Sequence, residues 1–168
     1  MKNVLYNQNT INCFTALFVL LFISMYSCSE TATHEENPAP EKFTADVISV
    51  EVAGEPMNYI FSVEIQSPDT GCGQYADWWE VLSEENSLIY RRILLHSHVN
   101  EQPFLRSGGP VPVTVDEIVY VRGHMHPDGY GGTVFKGSVQ NGFEEAKVPS
   151  DFASEVENEP PQPEGCAF

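Results

Sequence analysis

Two pairs of histidines are the residues of this sequence whose types and spacing best suit ligand binding. They occur as His96 with His98 and as His124 with His126. In a β-strand, residues i and i+2 point to the same face about 7 Å apart, so each pair presents two imidazoles together. Neutral imidazole is a common transition-metal ligand. The spacing therefore predicts a divalent metal site, for zinc or copper, formed by these four histidines.

The four histidines can converge only under one strand order. Each pair stands at the carboxyl end of a predicted strand, the fourth and the sixth. If both strands run antiparallel to the third, the two pairs meet near its start, close to Asp69, Cys72 and Gln74. This convergence assumes that the fourth and sixth strands lie on either side of the third. The alternative is that the imidazoles hydrogen-bond loop carbonyls and bind no metal.

Charged residues near the histidines are accessory candidates. Glu101 and Arg106 follow His98 and can pair with each other, and Asp69 precedes the third strand. In a metal-dependent enzyme, Glu101 or Asp69 would be the acid–base group. No short signature of a nucleophile with its base, or of paired catalytic carboxylates, occurs in the chain. Catalytic residues are therefore not assigned, and a binding module is favoured over an enzyme.

The elements that must position these residues are short β-strands. From residue 43 apolar residues alternate with polar ones, and turn residues interrupt the pattern at intervals of roughly 8–12 residues. The pattern predicts seven strands, which include Ile48–Val52, Tyr59–Ile65, Tyr75–Val81, Leu88–His98, Val111–Val115, Ile118–Met125 and Thr133–Val139. Seven short strands indicate an all-β antiparallel sandwich, immunoglobulin-like or fibronectin type III-like, with a small barrel as the alternative.

Two adjacent tryptophans lie on the third predicted strand. Trp78 and Trp79 would face opposite sides of the sheet, and core packing is the ordinary role of such residues. An exposed Trp78 beside Tyr130 would instead be able to stack on a sugar.

The N-terminal residues predict export. An apolar run, Phe14–Ile23, is too short to span a bilayer comfortably and is followed by Ser27 and Cys28. This arrangement resembles a bacterial lipoprotein signal, which implies that Cys28 carries the lipid and that a lipid anchor alone holds the protein at a membrane. The alternative is an ordinary cleaved signal in which Cys28 has no role.

Composition divides the chain and excludes one class of partner. Among 168 residues, 24 are Asp or Glu and 8 are Lys or Arg, which gives a net charge of −16 and argues against nucleic-acid binding. Acidic, Pro-containing segments with little apolar periodicity flank the central region. We therefore predict a signal peptide over 1–27, a flexible acidic linker over 28–41, the β-sandwich over 42–140 and a disordered acidic tail over 141–168.

The cysteines allow one disulfide. Cys13 would be lost with the predicted signal and Cys28 would be lipidated, which leaves Cys72 and Cys166 for an oxidising compartment. A disulfide between them would tie the tail to the loop that contains Cys72. The alternative is that Cys166 is a free or intermolecular thiol.

One string of residues resembles known sequences. The segment from His96 to Ser107 has the form His-x-His-Val-x-Glu-Gln-Pro-Phe-x-Arg-Ser. It looks like a group of small uncharacterised exported bacterial proteins, which implies export and a compact β domain. Together these features predict an exported, lipid-anchored binding module in the cell envelope. The alternatives are a metal-free interaction protein with a protein or glycan partner and a metal-dependent enzyme.

Overall fold

The computed structural model describes residues 42–167, and the predicted signal peptide, linker and lipidated Cys28 lie outside this range. The described part is all-β, as predicted. No helix in it is long and apolar enough to cross a membrane. A 3-10 helix covers Ser154–Asn158, and the strands are β1 (Asp46–Glu55), β2 (Asn58–Gln66), β3 (Tyr75–Ser83), β4 (Leu88–Ile93), β5 (Phe104–Val111), β6 (Val119–His126), β7 (Val134–Ser138) and β8 (Gly142–Ala146).

The strands form two antiparallel sheets in a sandwich-like arrangement. One sheet has the order β1-β2-β5 and the other has the order β4-β3-β6-β7-β8. The assumed neighbours of the third strand are therefore confirmed, because β4 and β6 both pair with β3 in antiparallel register. The apolar core lies between the sheets and includes Phe61, Trp79 and Phe104.

Strand β2 follows the predicted alternation closely. Tyr59, Phe61, Val63 and Ile65 are all buried in the core. Full burial of one such side chain contributes about 1.5–3 kcal/mol, so this face alone strongly favours the predicted register.

Strand β1 departs from the predicted alternation at a β-bulge. Val47 pairs with Ile65 and Ser49 pairs with Glu64, which leaves Ile48 as the extra residue. Val47 is buried, whereas Ile48 is exposed. The apolar alternation that predicts the strand Ile48–Val52 therefore places Ile48 on the wrong face, because one inserted residue reverses the alternation on one side of a bulge.

The region between the histidine pairs also differs from the prediction. Strand β4 ends at Ile93, so His96 and His98 lie in the following loop. Strand β5 begins at Phe104, in a segment predicted as a loop, and ends at Val111, where the predicted strand begins. Its Gly-Gly-Pro sequence is typical of a turn. However, β5 is an edge strand, where proline, which has no backbone N–H, is tolerated.

The C-terminal region is the largest correction to the predicted organisation. Residues 141–168 were predicted to be a disordered tail, yet residues 142–146 form β8 on the edge of the five-stranded sheet. After β8, residues 147–167 cross the outer face of that sheet and include the 3-10 helix. We call this segment the C-terminal strap.

Candidate functional site

A buried ion cluster joins the strap to the sheet. Glu80 of β3 lies between Arg91 of β4 and Arg122 of β6, because both arginines face Glu80 in the strand register. The Arg91 Nη2 to Glu80 Oε2 distance is 2.7 Å, and the Arg122 Nη2 to Glu80 Oε1 distance is 2.8 Å. All three side chains are almost completely buried.

The two arginines use their other N–H groups to hold the strap backbone. Arg91 donates to the carbonyl oxygens of Val156, Glu159 and Pro161. Arg122 donates to those of Phe152 and Ala153. Charged groups are rarely buried unless they are paired and hydrogen-bonded, and this cluster meets both conditions. An irregular segment is thereby fixed in one position.

Apolar contacts and a disulfide complete the attachment of the strap. Ala153 and Val156 pack against Leu82 on the outer face of β3. Near the other end of the strap, a disulfide joins Cys166 to Cys72, with Cα atoms 5.5 Å apart. This is the pairing that the cysteine count allowed.

A groove of about 420 Å³ lies between the strap and strands β3 and β6. We call it the strap groove. Its walls carry aromatic, imidazole, carboxylate and amide groups and contain no Lys or Arg. The lining residues are Cys72, Tyr75, Asp77, Trp78, His124, His126, Pro127, Glu157, Asn158, Gln162, Pro163, Gly165 and Cys166.

His124 forms the centre of the strap groove. Its Nδ1 lies 2.6 Å from Asp77 Oδ1, so the imidazole donates this hydrogen bond to the carboxylate. Its Nε2 lies 3.4 Å from Glu157 Oε1 of the strap. The ring of Trp78 stacks on the imidazole with centroids 3.6 Å apart and planes 8° from parallel. The imidazole is thus held by contacts at both nitrogens and on one face.

A second β-bulge positions the carboxylate that orients His124. Ala76 pairs with Met125 and Trp78 pairs with His124, so Asp77 is the extra residue of β3. Ala76 belongs to the core, whereas Asp77 turns toward His124. Bulges commonly re-aim a side chain beside a functional site, and here the bulge brings Asp77 to the same face as His124.

The arrangement can bind hydrogen-bond donors. Donation of Nδ1–H to Asp77 is the geometry by which a carboxylate orients an imidazole, and it turns Nε2 toward the Glu157 carboxylate, which can only accept hydrogen bonds. Burial raises the pKa of Tyr75 at the edge of the groove, and the nearby Asp77 and Asp69 raise it further. Tyr75 therefore stays a neutral hydroxyl at physiological pH.

Trp78 is not available for stacking on a sugar. One ring face carries His124, the Arg91 guanidinium lies 4.5 Å from the ring centroid, and Tyr130 meets the ring at an edge. Only 3% of the residue is exposed. The idea of an exposed Trp78 beside Tyr130 was wrong, because the strap and its arginine cluster cover this face.

The other histidine pair belongs to a loop whose hydrogen bonds are structural. Asp69 accepts hydrogen bonds from the Ser67 hydroxyl and from the backbone N–H groups of Ala76 and His98. Gln102 donates to the His98 carbonyl and accepts from the Ser67 N–H. Asp69 is therefore a buried carboxylate that orders two loops, which makes it a poor acid–base group.

His98 lies in an environment without hydrogen bonds to its ring. Its imidazole stacks on Phe104 with centroids 3.8 Å apart, and the His96 ring lies 4.6 Å away. Within the described residues, neither ring nitrogen of His98 has a hydrogen-bond partner. The pKa of His98 is lowered to about 4, mainly by burial and secondarily by the nearby Arg106 charge.

The predicted four-histidine metal site is not supported. The strap groove is lined by His124 and His126 but by neither His96 nor His98. Within residues 42–167, no three His, Cys, Asp or Glu side chains are grouped so that they could hold a metal ion. The strand order was right, but His98 is stacked on Phe104 and His124 is bonded to Asp77, so the imidazoles do not converge.

Glu101 and Arg106, the accessory candidates, form the predicted pair. Arg106 Nη2 is 2.8 Å from Glu101 Oε2, and both side chains are partly exposed. The Arg106 guanidinium is the main cause that lowers the pKa of the Glu101 carboxyl. This pair orders the loop after His98, as proposed for the two residues from their spacing.

Sequence reasoning missed both carboxylates that line the groove and the arginine cluster. Asp77 lies within the predicted strand Tyr75–Val81 and received no role, and Glu157 was assigned to the disordered tail over 141–168. A usable signal was present in Glu80, Arg91 and Arg122, since charged residues inside otherwise apolar strands indicate buried, paired charges.

Comparison with known proteins gives one curated relative at a useful level of similarity. A protein of Halomicrobium mukohataei, named "Putative lipoprotein", is 37% identical over 96 residues, which are 55% of this chain. Those residues are 47% of that protein, so the chain spans about half the length of the curated relative it matches. No protein-family model and no solved structure matches the chain.

Proposed function

We propose that this protein is an exported, lipid-anchored binding module whose ligand occupies the strap groove. The observation that carries the proposal is the groove itself, which is built from the sheet and the strap and held by the arginine cluster and the disulfide. Small-molecule sites are concave, largely pre-formed and supplied with a few convergent polar groups.

The anchor rests on the N-terminal sequence and on the named relative. Cys28 follows an apolar run in the manner of a lipoprotein signal, and the relative carries the name "Putative lipoprotein". One lipid-bearing terminus would hold the domain at a membrane of the cell envelope.

Replacing Cys28 tests the anchor. In the full chain, Cys28→Ser should move the protein from the membrane fraction to the soluble fraction, because the lipid acceptor is lost. Cys13→Ser, within the predicted signal, is the matched control and should fractionate as the unmodified chain does. Equal membrane association of both variants would refute the lipid anchor.

The chemistry of the groove favours a ligand that donates hydrogen bonds and carries positive charge. Asp77 and Glu157 line the groove, and no Lys or Arg does. The Glu157 side chain is 45% exposed, so it is accessible to a ligand. An amine-bearing glycan fits these walls, with its ammonium at Glu157 and its hydroxyls at His126 and the side-chain amides of the strap.

Ligand titration monitored by NMR tests this preference. Glucosamine should perturb the indole and imidazole signals of Trp78 and His124 at lower concentration than glucose does, because only glucosamine is a cation. Glu157→Gln should weaken glucosamine binding by about tenfold, equivalent to one charge-assisted hydrogen bond.

The control for Glu157 lies on the same 3-10 helix. Glu155 is exposed and carries the same charge, yet it does not line the groove. Glu155→Gln should therefore bind glucosamine as the unmodified protein does. Equal weakening by both substitutions would show a general charge effect, and the groove would no longer be the proposed site.

A further inference from the structure

We infer that a second cavity, separate from the strap groove, binds a small organic anion that carries a phosphate or carboxylate on an apolar body. The cavity measures about 520 Å³ and lies between the loop at 130–132, strands β6 to β8 and the beginning of the strap. The inference does not depend on the proposed function, because the two sites share no lining residue.

The charge of this cavity is opposite to that of the whole chain. Lys42, Arg122 and Lys147 line it, and no Asp or Glu does. The chain as a whole has 24 acidic and 8 basic residues. A concave site lined by cations concentrates field lines and attracts anions even when the net charge is negative.

Both lysines are available to a ligand. Within residues 42–167, the side chains of Lys42 and Lys147 form no hydrogen bond or ion pair, whereas the Lys136 ammonium lies 3.0 Å from Glu84. The carboxylates of Asp46 and Asp128 accept hydrogen bonds from the backbone N–H groups of Thr133 and Phe43, and neither residue lines the cavity. A ligand anion would therefore be the partner of both ammonium groups.

The Arg122 guanidinium contributes a charge that is held in place by partners within the protein. Its guanidinium is bound to Glu80 and to two strap carbonyls, and it lies 3.4 Å from the centroid of the Tyr130 ring. The arginine therefore shapes the inner wall of the cavity, while the two lysines supply the unpaired charge at its rim.

The rest of the lining suits an apolar ligand body. Val134, Val148 and Phe152 contribute apolar side chains, and Gly131 and Gly132 form a wall without side chains. A Cβ added at Gly131 would lie 3.8 Å from Lys42 Cε, so the stem of Lys42 runs along this wall. The volume lies within the range of small-molecule sites, about 300–1,000 Å³.

Calorimetric titration with phenyl phosphate tests the inference on the full chain in phosphatidylcholine nanodiscs. Phenyl phosphate should bind, and its affinity should fall as NaCl is raised, because salt screens charges at an exposed rim. Phenol, which has the same ring and no charge, should bind at least about tenfold more weakly, the equivalent of one charge-assisted contact. Equal binding of phenol and phenyl phosphate would overturn the inference.

Substitution of the lysines assigns the binding to this cavity. The double variant Lys42→Gln with Lys147→Gln should lose at least about tenfold in phenyl phosphate affinity without a change in melting temperature, since both side chains are exposed and unpaired. Lys136→Gln, a matched control outside the cavity, should bind normally. Normal binding by the double variant would overturn the inference.

The source of the anion is distinguished by the lipid. In phosphatidylglycerol nanodiscs, a lipid headgroup that occupies the cavity would lower the apparent affinity for phenyl phosphate of the unmodified protein but not that of the double variant. Equal affinity of the unmodified protein in both kinds of nanodisc would support a free anion as the ligand of the cavity.

Discussion

At the scale of the residue, histidines in one domain have two different environments. His124 has a carboxylate near each ring nitrogen, at 2.6 Å from Asp77 and 3.4 Å from Glu157. His98 stacks on Phe104 and has no hydrogen bond at its ring within the described residues. The first environment is polar, and the second favours a neutral ring because burial penalises the ion. The two histidines therefore serve a polar site and a packed loop respectively.

The environment of His98 predicts acid sensitivity of the fold. Its pKa is lowered to about 4 in the folded protein, below the ordinary value of 6.5. The unfolded chain therefore binds more protons between these values, and the stabilising contribution, full above pH 6.5, is lost as the pH falls toward 4. From pH 7 to pH 5, the free energy of unfolding should fall by about 1–2 kcal/mol because of this residue.

Urea unfolding at pH 7 and pH 5 measures this effect. His98→Gln should reduce the pH dependence, because no buried imidazole is left to protonate. His126→Gln removes an exposed imidazole and should leave the dependence as it is. If the His98 variant keeps the full loss between pH 7 and pH 5, another group causes it.

At the scale of the element, two single-residue insertions decide which side chains reach the site and the core. The bulge in β1 exposes Ile48, and the bulge in β3 turns Asp77 toward His124. The alternation of apolar residues in one strand does not show where a bulge occurs, because the position of the bulge depends on the pairing with the neighbouring strand. The bulge in β3 is therefore essential to the strap groove.

The strap depends on its arginine cluster, and Glu80 is the group that makes this cluster stable. Glu80→Gln would leave two guanidinium groups buried without a compensating negative charge. Breaking a buried pair typically costs about 3–5 kcal/mol, so we expect a loss of that size and earlier exposure of residues 152–161 to proteolysis.

The matched control for Glu80 is an exposed ion pair on the same sheet. Glu84 contacts Lys136 at 3.0 Å with its side chain 52% exposed. Glu84→Gln should cost less than about 1 kcal/mol, because surface pairs contribute little. Denaturant unfolding compares the two, and equal losses would show that burial of the cluster is not what stabilises the strap.

At the scale of the whole molecule, the C-terminal residues belong to the folded domain. A fragment 42–167 should unfold in one cooperative transition, because it contains both sheets, the strap and the disulfide. A fragment 42–140 lacks β8, Cys166 and the carbonyls that satisfy Arg91 and Arg122. We expect this shorter fragment to lack a cooperative thermal transition or to aggregate.

Circular dichroism and size-exclusion chromatography of the two fragments test this expectation. A disordered tail could be removed without consequence, whereas a structural strap could not. A stable, monomeric fragment 42–140 with the melting temperature of fragment 42–167 would restore the interpretation of residues 141–168 as a tail.

The sequence by itself determined the all-β class and the inner face of β2, because the alternation of apolar residues is local and its period is that of a strand. The short separation of Glu101 and Arg106 predicted their pair, and the cysteine count limited the disulfide to Cys72 and Cys166. Each of these features depends on residues close together in sequence or on the number of cysteines. None of them requires knowledge of which distant segments meet.

Only the tertiary structure decided the site. Residues 141–168 have little apolar periodicity, so their order comes from Arg91, Arg122 and Cys72, which lie far away in sequence. The convergence of Asp77, His124 and Glu157 likewise requires a bulge, a strand pairing and the strap together. Buried charges are stable only beside their partners, and those partners are brought together by folding.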